Sequence, residues 1–380
     1  MPAPTDATMR TTSLSNVRQR LAVGQALPFN VRDADQALLL ARGYVLQSAE
    51  QLAALCERGA LVDLDELQSV RERVMQAPRQ ALPRLWNDGL QRVNKALLTT
   101  DTERFIDALD DASDAVVGLV ERDPDLAIFQ VLTRDANADT AYGARRSLHA
   151  AITSYLVGHR LGWEASRLER VFKVALTMNL SMLELQGVLA RQHGELTPEQ
   201  RAELSTHPLR SVELLLQAGV RDDDWLQAVA RHHEQEDGSG YPTGRTDVGE
   251  LASLVRRADV YTAKLSPRHH RDAMAADLAG RQMFMQDPGH PMTAALVKEF
   301  GIYPPGSYVR LGGGETAVVV ERGPTVTTPI VACLTNARGM PLAQPVRMAV
   351  SSGKVSIAGV VVESQVPFRL SLDKLLSALG

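Results

Sequence analysis

The sequence predicts a mainly α protein, a central helical bundle flanked by small β-containing N- and C-terminal modules. Three observations carry that expectation. Apolar residues recur at helical spacing from about residue 66 to 122 and again over 141–300. Helix-start and helix-stop residues punctuate the second block. After Gly301 the composition shifts to β-branched runs separated by Gly-rich turns.

Taken in order, residues 1–24 are polar and read as a tail. Residues 25–80 read as a small α+β cap: LPFNVR, the Asp33-Ala34-Asp35 turn, ALLLARG and YVL supply hairpin strands, and a short helix ends at Gly59. Residues 81–140 read as connecting helices. Leu90, Val93, Leu97 and Leu98 follow an i, i+3, i+7, i+8 stripe, and Phe105, Leu109, Val116, Val117 and Val120 extend the apolar face. Residues 141–300 form the longest helical domain, and all nine histidines lie between positions 149 and 290. Thr197-Pro198-Glu199-Gln200 supplies an N-cap, a first-turn proline and a capping-box glutamine. His207-Pro208 is expected to start a further helix, with Val212, Leu215 and Leu216 on its inner face and Gly219 as its stop. Residues 301–380 read as a β module, opened by two strands in GSYVRLGGGETAVVVERG and continued by PIVACLT, PVRMAV and VSIAGVVV.

A chain of 380 residues exceeds one typical core, so more than one domain is expected. Its 41 Lys plus Arg against 45 Asp plus Glu give a formal net charge of -4, which offers no electrostatic case for binding a nucleic-acid polymer. Cys56 and Cys333 stand far apart and support neither a disulfide framework nor a cysteine metal cage. No apolar run approaches the ~20 residues of a membrane helix. The polar N-terminus lacks the apolar core of a signal peptide, so a cytoplasmic protein with no membrane partner is expected.

The chemistry concentrates in one string, Arg231-His232-His233-Glu234-Gln235-Glu236-Asp237-Gly238-Ser239-Gly240-Tyr241-Pro242. Trp225, Val229, His232 and His233 fall at i, i+4, i+7 and i+8, which turns both imidazoles towards the buried side of a helix. Neutral imidazole is a common ligand for iron, manganese and zinc, and the glycines that follow let backbone approach a phosphate. A satisfied core pair followed by an ordinary Gly/Pro turn accounts for the same residues.

The whole string resembles the HHExxDGxGYP signature of the HD-GYP family of cyclic di-GMP phosphodiesterases, within the HD superfamily of helical bundles. Arg257-Ala258-Asp259-Val260-Tyr261, with Arg268 and Arg271, resembles the family's ADVYDAL…RxYR segment. His207-Pro208 resembles its HP helix start, His149 its first helical histidine, and Phe300-Gly301-Ile302-Tyr303-Pro304-Pro305-Gly306-Ser307 the segment that follows its catalytic domain. The likeness spans roughly 140–350. It implies a candidate metal set of His149, His207, His232, His233 and Asp259, with iron or manganese the metals implied if one is bound. It also implies ligand contacts from Gly238, Gly240, Tyr241, Pro242, Arg268 and Arg271.

The departures from the pattern fall on its chemistry. Met178 stands for the family's histidine, Asn179 for its aspartate and Met182 for its lysine. Thr262 replaces a second aspartate, and Arg145 stands where some members place a metal-binding glutamate. A neutral amide cannot offset the charge of two bridged metals, and a thioether is a soft ligand for a hard divalent ion. Losing bridge, ligand and cation together removes two-metal catalysis. In the nearly apolar helix of Val171, Phe172, Val174, Leu176, Leu180 and Leu183, Met178 and Asn179 read as core filling.

The expectation is therefore a degenerate HD-GYP protein of cyclic di-GMP signalling with no catalytic residue, binding the nucleotide or a signalling protein, and open to forming a homodimer. Two alternatives stand beside it: a working metal-dependent phosphodiesterase, and a ligand-free scaffold like the HDOD relatives. His159, His193, His269, His270 and His290 match no ligand position, and Asp222-Asp223-Asp224 reads as an acidic helix start.

Overall fold

The computed structural model describes residues 11–99, 101–132, 141–266, 273–351, 355–362 and 366. The chain divides into two compact units, Met1–Gln76 and Ala77–Gly380.

In the first unit, strands β1 (Thr11–Ser13), β2 (Val31–Arg32), β3 (Leu38–Leu40) and β4 (Leu61–Asp63) form an antiparallel sheet in the order β1-β4-β2-β3. Helices α1 (Ala49–Glu57), α2 (Leu64–Leu67) and α3 (Val70–Gln76) complete it. Asp33 Oδ1 accepts from the Asp35 and Ala37 amides at 2.9 and 2.8 Å and closes the β2–β3 hairpin. The described part of the expected polar tail is folded. Thr11–Ser13 pair with β4, and a 3-10 turn over Leu14–Arg20 buries Leu14 and Val17 against Phe29, Val31, Leu46 and Val62. Two apolar anchors in a polar stretch suffice for this, because the strand supplies the remaining bonds from its backbone.

The second unit begins with α4 (Leu82–Leu97), α5 (Thr102–Arg122) and α6 (Pro124–Leu132). Val93 and Leu97 are buried as the stripe predicts, but α4 ends at Leu97, and Leu98, as its C-cap, is 50% exposed. The core of the unit is α7 (Tyr142–Arg160), packed by α8 (Ala165–Thr177), α9 (Leu183–Arg191) and α12 (Glu250–Leu265). Small residues make that crowding feasible. A Cβ on Gly143 would overlap the Leu183 backbone, so glycine sets the approach of α7 to α9.

Helices α10 (Pro198–Gln217) and α11 (Asp223–Arg231) carry the histidines, and α13 (Ala276–Gln286) and α14 (Pro291–Phe300) close the bundle. The capping box forms: Gln200 N donates to Thr197 Oγ1 at 3.2 Å, and Thr197 N to Gln200 Oε1 at 3.0 Å. The acidic helix start also forms, with Asp222 capping α11 through the Trp225 amide at 3.0 Å.

The expected new helix at His207-Pro208 is not there. α10 runs through Pro208, and Pro208 is buried in its interior. Of the three residues placed on the inner face, Leu215 is buried, Val212 is half-buried and Leu216 is exposed. The buried face of α10 is formed by His207, Pro208, Ser211 and Leu215, and Leu216, one residue on from Leu215, turns about 100° away from it.

The C-terminal strands β5 (Tyr308–Leu311), β6 (Thr316–Glu321), β7 (Ile330–Thr335), β8 (Pro341–Ala349) and β9 (Ile357–Val360) form a sheet in the order β8-β7-β6-β5-β9. The Gly-rich turn joins β5 to β6 through Gly314 at φ +98°, with Val309 opposite Ala317. Arg322 ties this sheet to the helices: its amide donates to Asp125 at 3.0 Å and its guanidinium to Glu299 Oε1 at 2.6 Å. No helix among the described residues is long and apolar enough to cross a membrane.

Candidate metal and anion site

Three histidines meet where α10 passes the C-terminal end of α11. The ligand atoms of His207, His232 and His233 all lie within 4.8 Å of one another. Proline explains the orientation of the first. Pro208 has no amide proton for the Leu204 carbonyl four residues back, and His207 Nδ1 reaches that carbonyl instead, at 2.7 Å. At the end of α11, where carbonyls lack helical partners, His232 Nδ1 contacts Val229 O at 2.7 Å. A carbonyl only accepts, so both Nδ1 atoms carry protons in the neutral rings, and both Nε2 atoms present lone pairs.

Those two Nε2 atoms face each other at 3.1 Å. Two acceptors cannot bond one another, so a shared proton or a metal cation is what satisfies the pair. A proton is disfavoured. Burial pushes His207, His232 and His233 far below the ordinary imidazole range, each to about 3, and the neighbouring imidazoles push the same way. The donor set therefore fits one divalent metal ion of the borderline kind that imidazole holds.

The loop after His233 is built to present a tyrosine. Glu234 is fully buried and accepts from Thr243 N at 2.8 Å, Thr243 Oγ1 at 2.7 Å and Arg245 N at 3.1 Å. Burial alone would raise its carboxyl, but these donors outweigh it and hold the group below the usual carboxylate range. A Cβ on Gly240 would overlap the backbone of Glu234 and Gln235, and Gly238 sits at φ +78°. The Tyr241–Pro242 bond is cis. The Tyr241 ring stacks on His233, with centroids 4.5 Å apart and an interplanar angle of 18°.

A cavity of about 450 Å³ opens beside the histidines and is lined by His207, His233, Tyr241, Asp259, Arg146 and Asn179, among others. That volume suits a small-molecule ligand. A further wall, from α9, the α9–α10 connection and the start of α10, adds Gln186, Leu189, Leu196, Arg201 and Leu204. A wider cleft of about 570 Å³, bordered by Trp163, Glu236, Asp247 and Glu250, contains none of the three clustered histidines.

Inside the cavity Arg146 donates to Asp259 Oδ1 at 2.7 Å, to Thr262 Oγ1 at 3.2 Å and to Ser266 Oγ at 3.4 Å. Both partners of the ion pair are largely buried, at 7% and 14% side-chain exposure. Asn179 is 2% exposed, and its Nδ2 has no partner.

The expected site residues sort accordingly. His207, His232 and His233 converge, whereas His149 and Asp259 lie outside that group. His149 is half-buried on α7, and burial together with Arg145 and Arg146 lowers its pKa to about 3. Of the loop, only His233 and Tyr241 line the cavity; Gly238, Gly240 and Pro242 do not. Met178 is fully buried as core, but Asn179 and Met182 stand on the cavity wall, so Asn179 is no mere filler. Arg268, Arg271, His269 and His270 lie outside the described residues. Arg145 does not line the cavity; the arginine that does is its neighbour Arg146, which sequence reasoning missed. One signal was available. Arg146 lies one turn before His149 and one turn after Tyr142, on the face that α12 covers with Asp259 and Thr262.

Residues 109–284 match the family model of the HD domain. The cyclic di-GMP phosphodiesterase PA4108 of Pseudomonas aeruginosa is 31% identical over 178 residues, 45% of this chain and 43% of that protein. The cyclic di-GMP phosphodiesterase response regulator RpfG of Xanthomonas campestris pv. campestris is 31% identical over 136 residues, 34% of this chain and 35% of that protein. A cyclic di-GMP phosphodiesterase of Vibrio cholerae is 26% identical over 260 residues, 62% and 50% of the two chains. The chain thus spans half or less of the length of these relatives. Among solved structures, Bd1817, an HDG"Y"P protein from Bdellovibrio bacteriovorus, aligns with a TM-score of 0.49 at 16% identity, covering 76% of this chain and 98% of that one.

Proposed function

We propose that this chain, whose residues 109–284 match the HD domain model, serves cyclic di-GMP signalling as a module that binds the nucleotide without hydrolysing it. One observation carries the reading. Asp259 on the cavity wall is paired with Arg146, and Asn179, which also lines the cavity, is a neutral amide, so neither presents an unpaired carboxylate to hold a second metal. A cavity lined by Arg146 and Arg201 suits an anionic ligand, and phosphate oxygens are acceptors that guanidinium groups pair with.

His207, His232 and His233 would hold one divalent ion, iron or manganese being the expected choices. When bound, that ion supplies positive charge against which a phosphate can rest. The chain's own residues do the rest. Tyr241, already stacked on His233, offers a ring face for a base. Leu189, Leu196 and Leu204 give the cavity an apolar wall against the same ligand, and Arg201 adds a guanidinium. General acid–base help, worth about 10²–10⁴-fold in rate, has no candidate at Met182, which is a thioether.

The reading is tested by calorimetric titration of the manganese-treated protein with cyclic di-GMP, followed by chromatography of the nucleotide. Saturable heat with the nucleotide recovered intact is the expected result. Absence of heat favours a ligand-free scaffold, and a linear dinucleotide restores the phosphodiesterase.

A further inference from the structure

We infer that this cavity is a single-metal centre in which the guanidinium of Arg146 occupies, as a permanent cation, the place a second metal ion would need. The inference deepens the proposed function, since it concerns the same cavity. It rests on which donor atoms remain free rather than on nucleotide binding.

The three imidazoles account for one ion. Their Nδ1 protons are committed to Leu204 O and Val229 O in two of the three rings, and the Nε2 lone pairs of those two rings converge at 3.1 Å. A second ion beside the first needs an anionic ligand, because neutral nitrogens alone do not offset two dications held close together. Among the described residues, the carboxylates lining the cavity are Asp259 and Glu195. Glu195 is 93% exposed and pairs with Arg201 at 3.3 Å. Asp259 lines the same cavity as His207 and His233, but its Oδ1 is held by Arg146 at 2.7 Å.

The arginine is not a casual visitor. It is anchored on three sides, by Asp259, Thr262 and Ser266, all at the C-terminal half of α12. Thr262 Oγ1 in turn donates to Ala258 O at 2.9 Å, which leaves its lone pairs for the guanidinium. The hydroxyl of Thr262 thus offers an acceptor for Arg146. Asn179, which also lines the cavity, is a neutral amide and adds no negative charge to hold a second ion. Arginine cannot lose its proton in this setting, so the charge it brings is fixed, unlike that of an exchangeable ion.

The test is metal stoichiometry. The full-length protein is stripped with chelator, titrated separately with manganese and cobalt, and its bound metal counted by elemental analysis after gel filtration. One equivalent per chain is expected, falling to none in His232→Ala. Arg146→Ala frees Asp259 and is expected to take more than one equivalent. Two equivalents in the native chain, or none, overturn the inference, and so does an Arg146→Ala protein that still folds and stays at one. Circular dichroism establishes folding of each variant. If cyclic di-GMP fails to bind, the proposed function falls while the metal count stands, so the two failures are separable.

Discussion

At the scale of single residues, Gly240 and Glu234 decide whether Tyr241 faces the histidines. A Cβ at Gly240 would collide with backbone rather than with a movable side chain, so Gly240→Ala is expected to cost about 1–3 kcal/mol, measured as a lowered denaturation midpoint. Glu234→Gln replaces an acceptor of three donors by a group with its own N–H. A loss of about 1–3 kcal/mol and weaker nucleotide binding are expected, with calorimetry on the folded variant separating the two. The string from His232 to Pro242 was legible because every one of these roles is local: ring, cap and turn lie within eleven positions. The Arg146–Asp259 pair was not, because its partners stand 113 residues apart and meet only once α7 and α12 are packed. Met178 and Asn179 show the same limit. Adjacent residues on one apolar stretch read alike, yet one is core and the other lines a cavity.

At the scale of elements, α10 links helix stability to the site. Removing the cap with Thr197→Ala is expected to cost about 0.5–2 kcal/mol in thermal unfolding. Pro208→Ala should act in the opposite sense on the helix, restoring the amide that Leu204 O lacks, and should weaken metal binding by up to ~10-fold because His207 Nδ1 loses exclusive use of that carbonyl. A melting curve and a metal titration on the same protein check both halves. The pattern of start and stop residues revealed Thr197 and Gly219 but misread Pro208, since a proline ordinarily marks a first turn and here an imidazole takes over the orphaned carbonyl. Acid sensitivity belongs to this scale too. Burial would raise Asp222 and Asp287, but the Trp225 amide and Arg170 for the first, and Arg257 and Thr293 for the second, hold both below the usual aspartate range. Their folded-state pKa values are depressed, so their contribution is in place above about pH 4 and is lost as pH falls below it. Asp222→Asn should flatten the fall in melting temperature over that acid window.

At the scale of the whole molecule, the helical block from α4 to α14 and the β5–β9 sheet form one unit, joined through Arg322. Glu299 is 6% exposed and also pairs with Arg160, so Arg322→Ala leaves a buried carboxylate short of one partner. A loss of about 1–3 kcal/mol and faster proteolysis between α14 and β5 are expected. The sheet itself was legible from β-branched runs and Gly-rich turns, while β1 was not, being three residues long and dependent on β4 for its bonds. The account stands or falls on whether this cavity holds cyclic di-GMP without cutting it. The most direct measurement incubates the protein anaerobically with iron(II) or manganese and the nucleotide, then resolves bound and free nucleotide by chromatography. Intact cyclic di-GMP co-eluting with the protein is the predicted result; accumulation of the linear dinucleotide would contradict it.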